Sequence, residues 1–227
     1  MTEVAAPMVL FQRSKSVRGA LLLAAMLLAG LLTPRVRAEA MLGDGSEALE
    51  RDPSGFLLGV HLIDLHLTLA SGDREKSLDV LARINGHMKN LALFDEESKF
   101  YLRARGDIDR GKPPSELAEE AARVETALME SLEGLPLLPF GKWTEAGRLS
   151  ALAGSSAFFE DRNNRRYPDW LLNNADEDLD DEVVPALKRI RGILDDNEPS
   201  KLPYEDLTKQ FEGILDHYQR QADAASH

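Results

Sequence analysis

The side chains best suited to chemistry lie around residue 61. His61 and Asp64 are three residues apart, so a helix places them on one face, whereas His66 points away from His61. His87 can join them from the next predicted helix. Neutral imidazole and carboxylate are common ligands of divalent metals, so these four residues form a candidate metal site. The alternative is a buried His–Asp hydrogen bond that orients two helices, since buried polar groups need partners.

The same segment carries a short motif. Residues 59–64 read GVHLID. This stretch resembles the Gly-x-His-x-x-Glu motif of imelysin-like exported helical proteins, which are associated with iron handling. Asp64 replaces the glutamate of the motif. The similarity implies export and a link to iron, but it spans six residues and does not assign the chain to that family.

A second set of candidates could hold a partner protein or a small ligand. Trp143 and Arg148 follow an apolar stretch, and tryptophan and arginine are favoured anchors at binding sites. Arg165 and Arg166 belong to a basic spot in an otherwise acidic chain. The alternatives are that Trp143 packs in the core and that the basic spot pairs with the acidic run after it.

That acidic run, at residues 176–182, begins with the carboxylate rhythm of a calcium loop. It lacks the glycine and the terminal glutamate that such a loop needs, because Asp181 and Leu187 occupy those positions. We therefore interpret it as an acidic start to the following helix, where negative charge meets the positive end of the helix dipole. Weak calcium binding is the alternative.

Motifs for catalysis are absent from the sequence. It contains no Gly-x-Ser-x-Gly, no phosphate-binding glycine loop and no His-Glu-x-x-His. It also contains no cysteine, which excludes thiol chemistry, cysteine-ligated zinc and disulfides. We therefore favour a binding protein over an enzyme. A hydrolase of an unfamiliar helical type, acting on envelope material, is a further hypothesis.

The N-terminal 38 residues have the pattern of a cleavable signal peptide. Arg13, Lys15 and Arg18 precede an apolar run of 14 residues at 19–32, and Val36 and Ala38, or Ala38 and Ala40, could form the cleavage pair. A permanent membrane anchor needs roughly 20 apolar residues. We expect periplasmic export, with no membrane span left after cleavage. An uncleaved signal anchor is the alternative, because Arg35 and Arg37 follow the run.

Composition restricts the partners of the mature chain. Residues 39–227 carry a formal charge of −16, which repels nucleic acid and favours basic partners or cations. We expect residues 39–51 to be a flexible N-terminus. Residues 52–222 are long enough for one helical domain with a sizeable core.

Hydrophobic periodicity predicts an all-α protein with seven to eight helices in an antiparallel bundle. Leucine and other apolar residues recur at three-to-four spacing, and no segment alternates with the period of a strand. Asp52-Pro53 and Asp73 are typical helix starts, and Gly72 is a typical helix end. The apolar stretch at 135–141 contains two prolines and is predicted to be irregular.

Similar markers recur in the two parts of this domain and suggest an internal duplication. We compare residues 52–134 with residues 141–222 as possible four-helix halves. The matching pairs are Gly59 with Gly147, Asp73 with Asp161, residues 103–106 with 189–192, and Pro113 with Pro203, at spacings of 88, 88, 86 and 90 residues. Shared leucine periodicity is the alternative explanation. If two halves exist, a ligand would bind most naturally between them.

The sequence as a whole predicts an exported, periplasmic helical bundle that binds an envelope protein or small ligand without catalysis. The alternative function is metal binding or handling through His61 and Asp64, with a divalent metal as the cofactor.

Overall fold

The computed structural model describes residues 52–93, 96–132, 136–174 and 179–225. The predicted signal peptide and residues 39–51 lie outside this range. The described residues form nine α-helices and no strand, which confirms the all-α helical-bundle prediction. The helices are α1 (Pro53–Ser71), α2 (Arg74–Asn90), α3 (Glu96–Asp109), α4 (Ala118–Ser131), α5 (Leu137–Ala153), α6 (Ala157–Glu160), α7 (Arg162–Asn174), α8 (Val184–Asp196) and α9 (Tyr204–Ala225).

The predicted ends of α1 and the start of α2 are confirmed. The Asp52 carboxylate accepts the backbone N–H of Ser54 at 2.7 Å, which satisfies a free donor in the first turn of α1. Gly72 ends α1 at φ 70°, a left-handed conformation that glycine adopts without steric cost. Asp73 then accepts the backbone N–H of Lys76 at 3.1 Å and starts α2. The connection between these two helices is therefore short.

The prediction of an irregular segment before α5 is wrong from residue 137 onward. Pro136 stands just before the helix and Pro139 is its third residue. Backbone N–H groups in the first turn have no helical acceptor, so a proline there removes no hydrogen bond. The rest of the apolar stretch becomes the buried start of α5.

Helix α7 continues through a proline, Pro168. Asp161 accepts the N–H groups of two residues in its first turn, and Pro168 lies inside the helix. Proline deprives the carbonyl four residues earlier, that of Asn164, of its helical donor. The indole N–H of Trp143 donates to this carbonyl at 3.1 Å. A side chain of α5 thus replaces the hydrogen bond that Pro168 removes.

Two glycines bring the backbones of α1 and α5 into direct contact. A Cβ atom on Gly59 would lie 2.2 Å from the carbonyl oxygen of Leu138, and one on Gly141 would lie 1.9 Å from that of Phe56. Gly55 likewise faces Leu137. Residue numbers rise together along the two helices, so α1 and α5 run side by side in the same direction. The α1 and α5 residues in these contacts are 79 to 85 positions apart.

Helix α1 contributes to two hydrophobic clusters. Leu58 and Leu62 pack with α2, α3 and α4, whereas Phe56 and Val60 pack with α5 to α9. Among the described residues, α1 is the one helix with the length and hydropathy of a membrane span. In the apolar 18-residue window of α1 that has this hydropathy, however, 72% is buried inside the protein. The same composition is typical of a central core helix.

The sequence comparison paired Gly59 with Gly147, but the glycine of α5 in close contact with α1 is Gly141. Gly141 faces α1 as Gly59 faces α5, and these residues are 82 positions apart. Gly72 and Gly154, which end the two helices in left-handed conformations, have the same spacing. Gly147, the expected counterpart of Gly59, lies against the ring of Phe211. The internal duplication stays a prediction. In α1 and α5, the glycines at matching positions are 82 residues apart.

Candidate functional site

His61 and Asp64 form a pair on α1. The Nδ1 atom of His61 lies 3.3 Å from Oδ2 of Asp64. His61 is buried, whereas the Asp64 side chain is 29% exposed. The helical spacing predicted this pairing, and the pair reaches solvent through Asp64.

Two charged side chains of α5 meet this pair. Arg148 donates two hydrogen bonds to Glu145, at 2.8 Å and 2.5 Å, and the Asp64 carboxyl group lies close enough to Glu145 to affect its pKa. Burial raises the pKa of Glu145, and the nearby Asp64 raises it further against the opposing effect of Arg148, to about 7. The Asp64 carboxyl group on the neighbouring helix therefore disfavours the charged form of Glu145.

His87 of α2 completes this group. Its ring stacks against that of His61 with centroids 5.4 Å apart, and its Nδ1 atom is buried without a hydrogen-bond partner. Burial, followed by repulsion from His61, lowers the pKa of His87 to about 4. We call His61, Asp64, His87, Glu145 and Arg148 the α1–α5 cluster.

His66 belongs to a separate group. It hydrogen-bonds to Glu125 of α4, and the same carboxylate forms an ion pair with Lys142 of α5. All three side chains are at most 14% exposed. Burial alone would raise the pKa of Glu125, but the charge of Lys142 and the hydrogen bond with His66 outweigh it and lower the pKa to about 2. We call these three residues the buried triad, and they tie α1, α4 and α5 together.

The structure thus brings three of the four predicted metal ligands together and places His66 elsewhere. Within the described residues, no three His, Asp or Glu side chains converge closely enough to hold a metal ion. His61 and Asp64 are in contact, and His87 is adjacent to His61 rather than directed at the same point as both.

The four predicted partner-binding residues do not form one surface. Trp143 of α5 is buried against α7, and Arg148 belongs to the α1–α5 cluster. Arg165 donates to the carbonyl oxygens of Leu194 and, at 3.0 Å, Asn197, so it satisfies the C-terminal end of α8. Arg166 is exposed. Of this set, only Arg148 lies beside other candidate residues.

Sequence reasoning missed Glu125, Lys142 and Glu145. A signal for the last two was present, because Lys142, Glu145 and Arg148 recur at three-residue spacing in a segment otherwise rich in apolar and small residues. Charged side chains on a helix that small residues allow to pack closely must find partners inside the protein. Glu125 gave no such signal, because α4 carries three other acidic residues, none of which is buried.

The chain matches no protein-family model, no curated protein and no solved structure. The fold and the site define a helical bundle with a polar cluster at the contact between two long central helices. A cleft of about 300 Å³ lies elsewhere, between α8 and the start of α9, with Lys188, Arg189, Asp196 and Asp206 in its lining. Its mixed charges favour no particular ligand, so the α1–α5 cluster is the candidate site.

Proposed function

We propose that this protein is an exported helical-bundle protein that binds a positively charged group of a partner at the α1–α5 cluster, without catalysis. The observation that carries the proposal is the proximity of two carboxyl groups from different helices, that of Asp64, which is 29% exposed, and that of Glu145, which is buried. The signal-like pattern of residues 1–38 supports export. The charge of −16 on residues 39–227 supports a cationic partner.

The chemistry follows from the raised pKa of Glu145. Neighbouring carboxyl groups repel each other when both are charged, so Glu145 holds its proton more tightly. A cationic group that approaches Asp64 can favour release of the Glu145 proton and interact with both carboxylates. Arg148 already neutralises part of the charge on Glu145, so the remaining attraction is directed at the partly exposed Asp64.

The partial exposure of Asp64 favours a single cationic side chain over a larger molecule. The cleft described above is lined by no residue of the α1–α5 cluster, whereas pockets for drug-sized ligands are concave and enclose most of the ligand. The ammonium group of a lysine on an envelope protein needs only the exposed edge of Asp64. A partner protein is therefore the ligand that we propose.

A divalent metal ion is the second candidate. It is favoured by the His61–Asp64 contact of 3.3 Å and by the adjacent His87, whose buried Nδ1 atom has no hydrogen-bond partner. Imidazole and carboxylate donors suit such an ion. Because three donors do not converge in the structure, metal binding requires Asp64 or Glu145 to change its side-chain conformation.

Calorimetric titration of residues 39–227 tests both candidates. The probes are a hexalysine peptide and, separately, Zn²⁺, in two buffers with different ionisation enthalpies that reveal proton release. Asp64→Asn removes the proposed contact. Asp79→Asn is the matched control, because Asp79 is an exposed aspartate of α2 and its substitution changes the net charge equally.

We expect hexalysine to bind the wild-type protein and Asp79→Asn alike, with proton release at neutral pH, and to bind Asp64→Asn at least about fivefold more weakly. Equal binding by all three proteins would mean that general acidity explains the attraction, and the proposal would be wrong. Zn²⁺ binding that requires Asp64, in the absence of specific peptide binding, would instead support the metal-binding function.

A further inference from the structure

A buried histidine on α9 lies between two carboxylates that precede α8. His217 is 6% exposed, and its Nδ1 atom lies 3.1 Å from Oε2 of Glu182. Its Nε2 atom lies 3.0 Å from Oδ2 of Asp180, an ion-pair contact without hydrogen-bond alignment. Both ring nitrogens of His217 therefore face negatively charged oxygen atoms.

Neighbouring residues hold the Asp180 carboxylate in place. Asp180 also accepts the side-chain N–H of Gln221 at 2.6 Å and the backbone N–H of Glu182 at 3.0 Å. The backbone hydrogen bond, with a smaller contribution from His217, lowers the pKa of Asp180 despite some burial. Among the residues that the structure describes, Tyr218 is a further titratable group beside His217, and the pKa of its hydroxyl is raised by burial and by Asp180. From α1, the uncharged ring of Phe56 stacks on Tyr218.

This arrangement fits only one protonation state of the imidazole. A neutral ring has one N–H group and one lone pair, so one of its nitrogens would repel the carboxylate beside it. The imidazolium form attracts both. We propose that His217 is a proton-dependent clasp that holds residues 180–183 on α9 when it is charged and releases them when it is neutral.

Release of the clasp would change the surface of the protein. Leu179 precedes the held segment and Val183 is its last residue, and both are buried in the cluster formed by α5 to α9. The first turn of α8 depends on the same segment, since Leu187 N–H donates to the carbonyl of Val183 at 3.1 Å. Deprotonation of His217 would thus loosen the start of α8 and uncover apolar side chains. This pH response is independent of ligand binding at the α1–α5 cluster.

Two measurements on residues 39–227 test the clasp. Nitrogen-15 NMR of the His217 ring shows directly whether both nitrogens carry protons. Amide hydrogen exchange, expressed as protection factors to remove the intrinsic effect of pH, reports opening at Glu182, Val183 and Leu187. Glu182→Gln removes one charge from a side chain that is 72% exposed, and Glu205→Gln is the matched control on α9, at an exposed glutamate paired with Lys209.

We expect the imidazolium form at about pH 5.5 and protection of these amides at least about tenfold higher there than at pH 8. Glu182→Gln should reduce this difference, whereas Glu205→Gln should leave it unchanged. A neutral His217 ring throughout this range would overturn the proposal. So would protection factors that do not change with pH in the wild-type protein.

Discussion

A methyl group at the contact between α1 and α5 should separate the two helices. In Gly141→Ala the new Cβ atom would lie 1.9 Å from the carbonyl oxygen of Phe56, about 1.5 Å short of ordinary contact. In Gly59→Ala it would lie 2.2 Å from the carbonyl oxygen of Leu138 and 2.8 Å from the amide nitrogen of Lys142. The opposing atoms are backbone, so no side-chain rotation can relieve either clash.

The size of the effect follows from two opposing contributions. Overpacking of a well-packed core typically costs about 1–3 kcal/mol, and a clash with rigid backbone belongs at or above the upper end. Replacing glycine by alanine within a helix returns about 1 kcal/mol through helix propensity. We expect each variant to lose at least about 2 kcal/mol of unfolding free energy, a large share of the 5–15 kcal/mol typical of a domain.

Urea unfolding followed by circular dichroism measures this loss. Gly86→Ala is the matched control, because Gly86 lies within α2 and its Cβ would meet no atom within 4 Å. The control should gain about 0.5–1 kcal/mol. If Gly59→Ala and Gly141→Ala unfolded within about 0.5 kcal/mol of the wild type, with unchanged m-values, the direct backbone contact would be refuted.

Two further predictions concern the buried charges. Lys142→Met leaves Glu125 buried without its lysine ion-pair partner and should lower the free energy of unfolding by about 3–5 kcal/mol. The double variant with Glu125→Gln should recover at least about 1 kcal/mol of this loss in urea unfolding. If the losses of the two single variants were strictly additive in the double variant, the ion pair would be contradicted. Because the folded pKa of Glu125 is about 2, below its ordinary 4.5, its stabilisation is present above pH 4.5 and disappears as the pH falls towards 2. Because the folded pKa of Glu145 is about 7, its stabilising protonation is complete below pH 4.5 and is lost as the pH rises through 7. Glu145→Gln should reduce this decline in thermal melts between about pH 5 and pH 8, and an unchanged decline would mean that another group causes it.

Local signals in the sequence predicted most of the helices, because helix ends depend on neighbouring residues. Asp52, Gly72 and Asp73 act at the positions where the sequence placed them. The start of α5 was predicted incorrectly, since two prolines suggested a loop although both occupy positions without a required N–H donor. Pro168 is tolerated inside α7 because Trp143, which is distant in sequence, donates a hydrogen bond to the carbonyl that Pro168 leaves without a donor. A sequence pattern alone does not show such a distant partner.

The candidate site was predictable only in part, for the same reason. The His61–Asp64 pairing follows from helical spacing within one segment. Its neighbours Glu145 and Arg148 depend on the register between α1 and α5, which the direct contacts at Gly59 and Gly141 determine. The sequence comparison instead paired Gly59 with Gly147 and shifted this register by six residues. Contacts between helices distant in sequence therefore remained hidden, including those that raise the pKa of Glu145.

The register between α1 and α5 also indicates that packing alone does not explain why α5 carries charged side chains at this contact. At 82-residue spacing, Lys142 and Glu145 of α5 correspond to Val60 and Ile63 of α1, both buried and apolar. The same helix contact is thus compatible with apolar residues at these positions, and burying charges generally gives no more stability than well-packed apolar residues of similar volume. The charges of the buried triad have their partners inside the protein. Those of the α1–α5 cluster extend to solvent through Asp64, which is why we propose this cluster, and not the buried triad, as the partner-binding site.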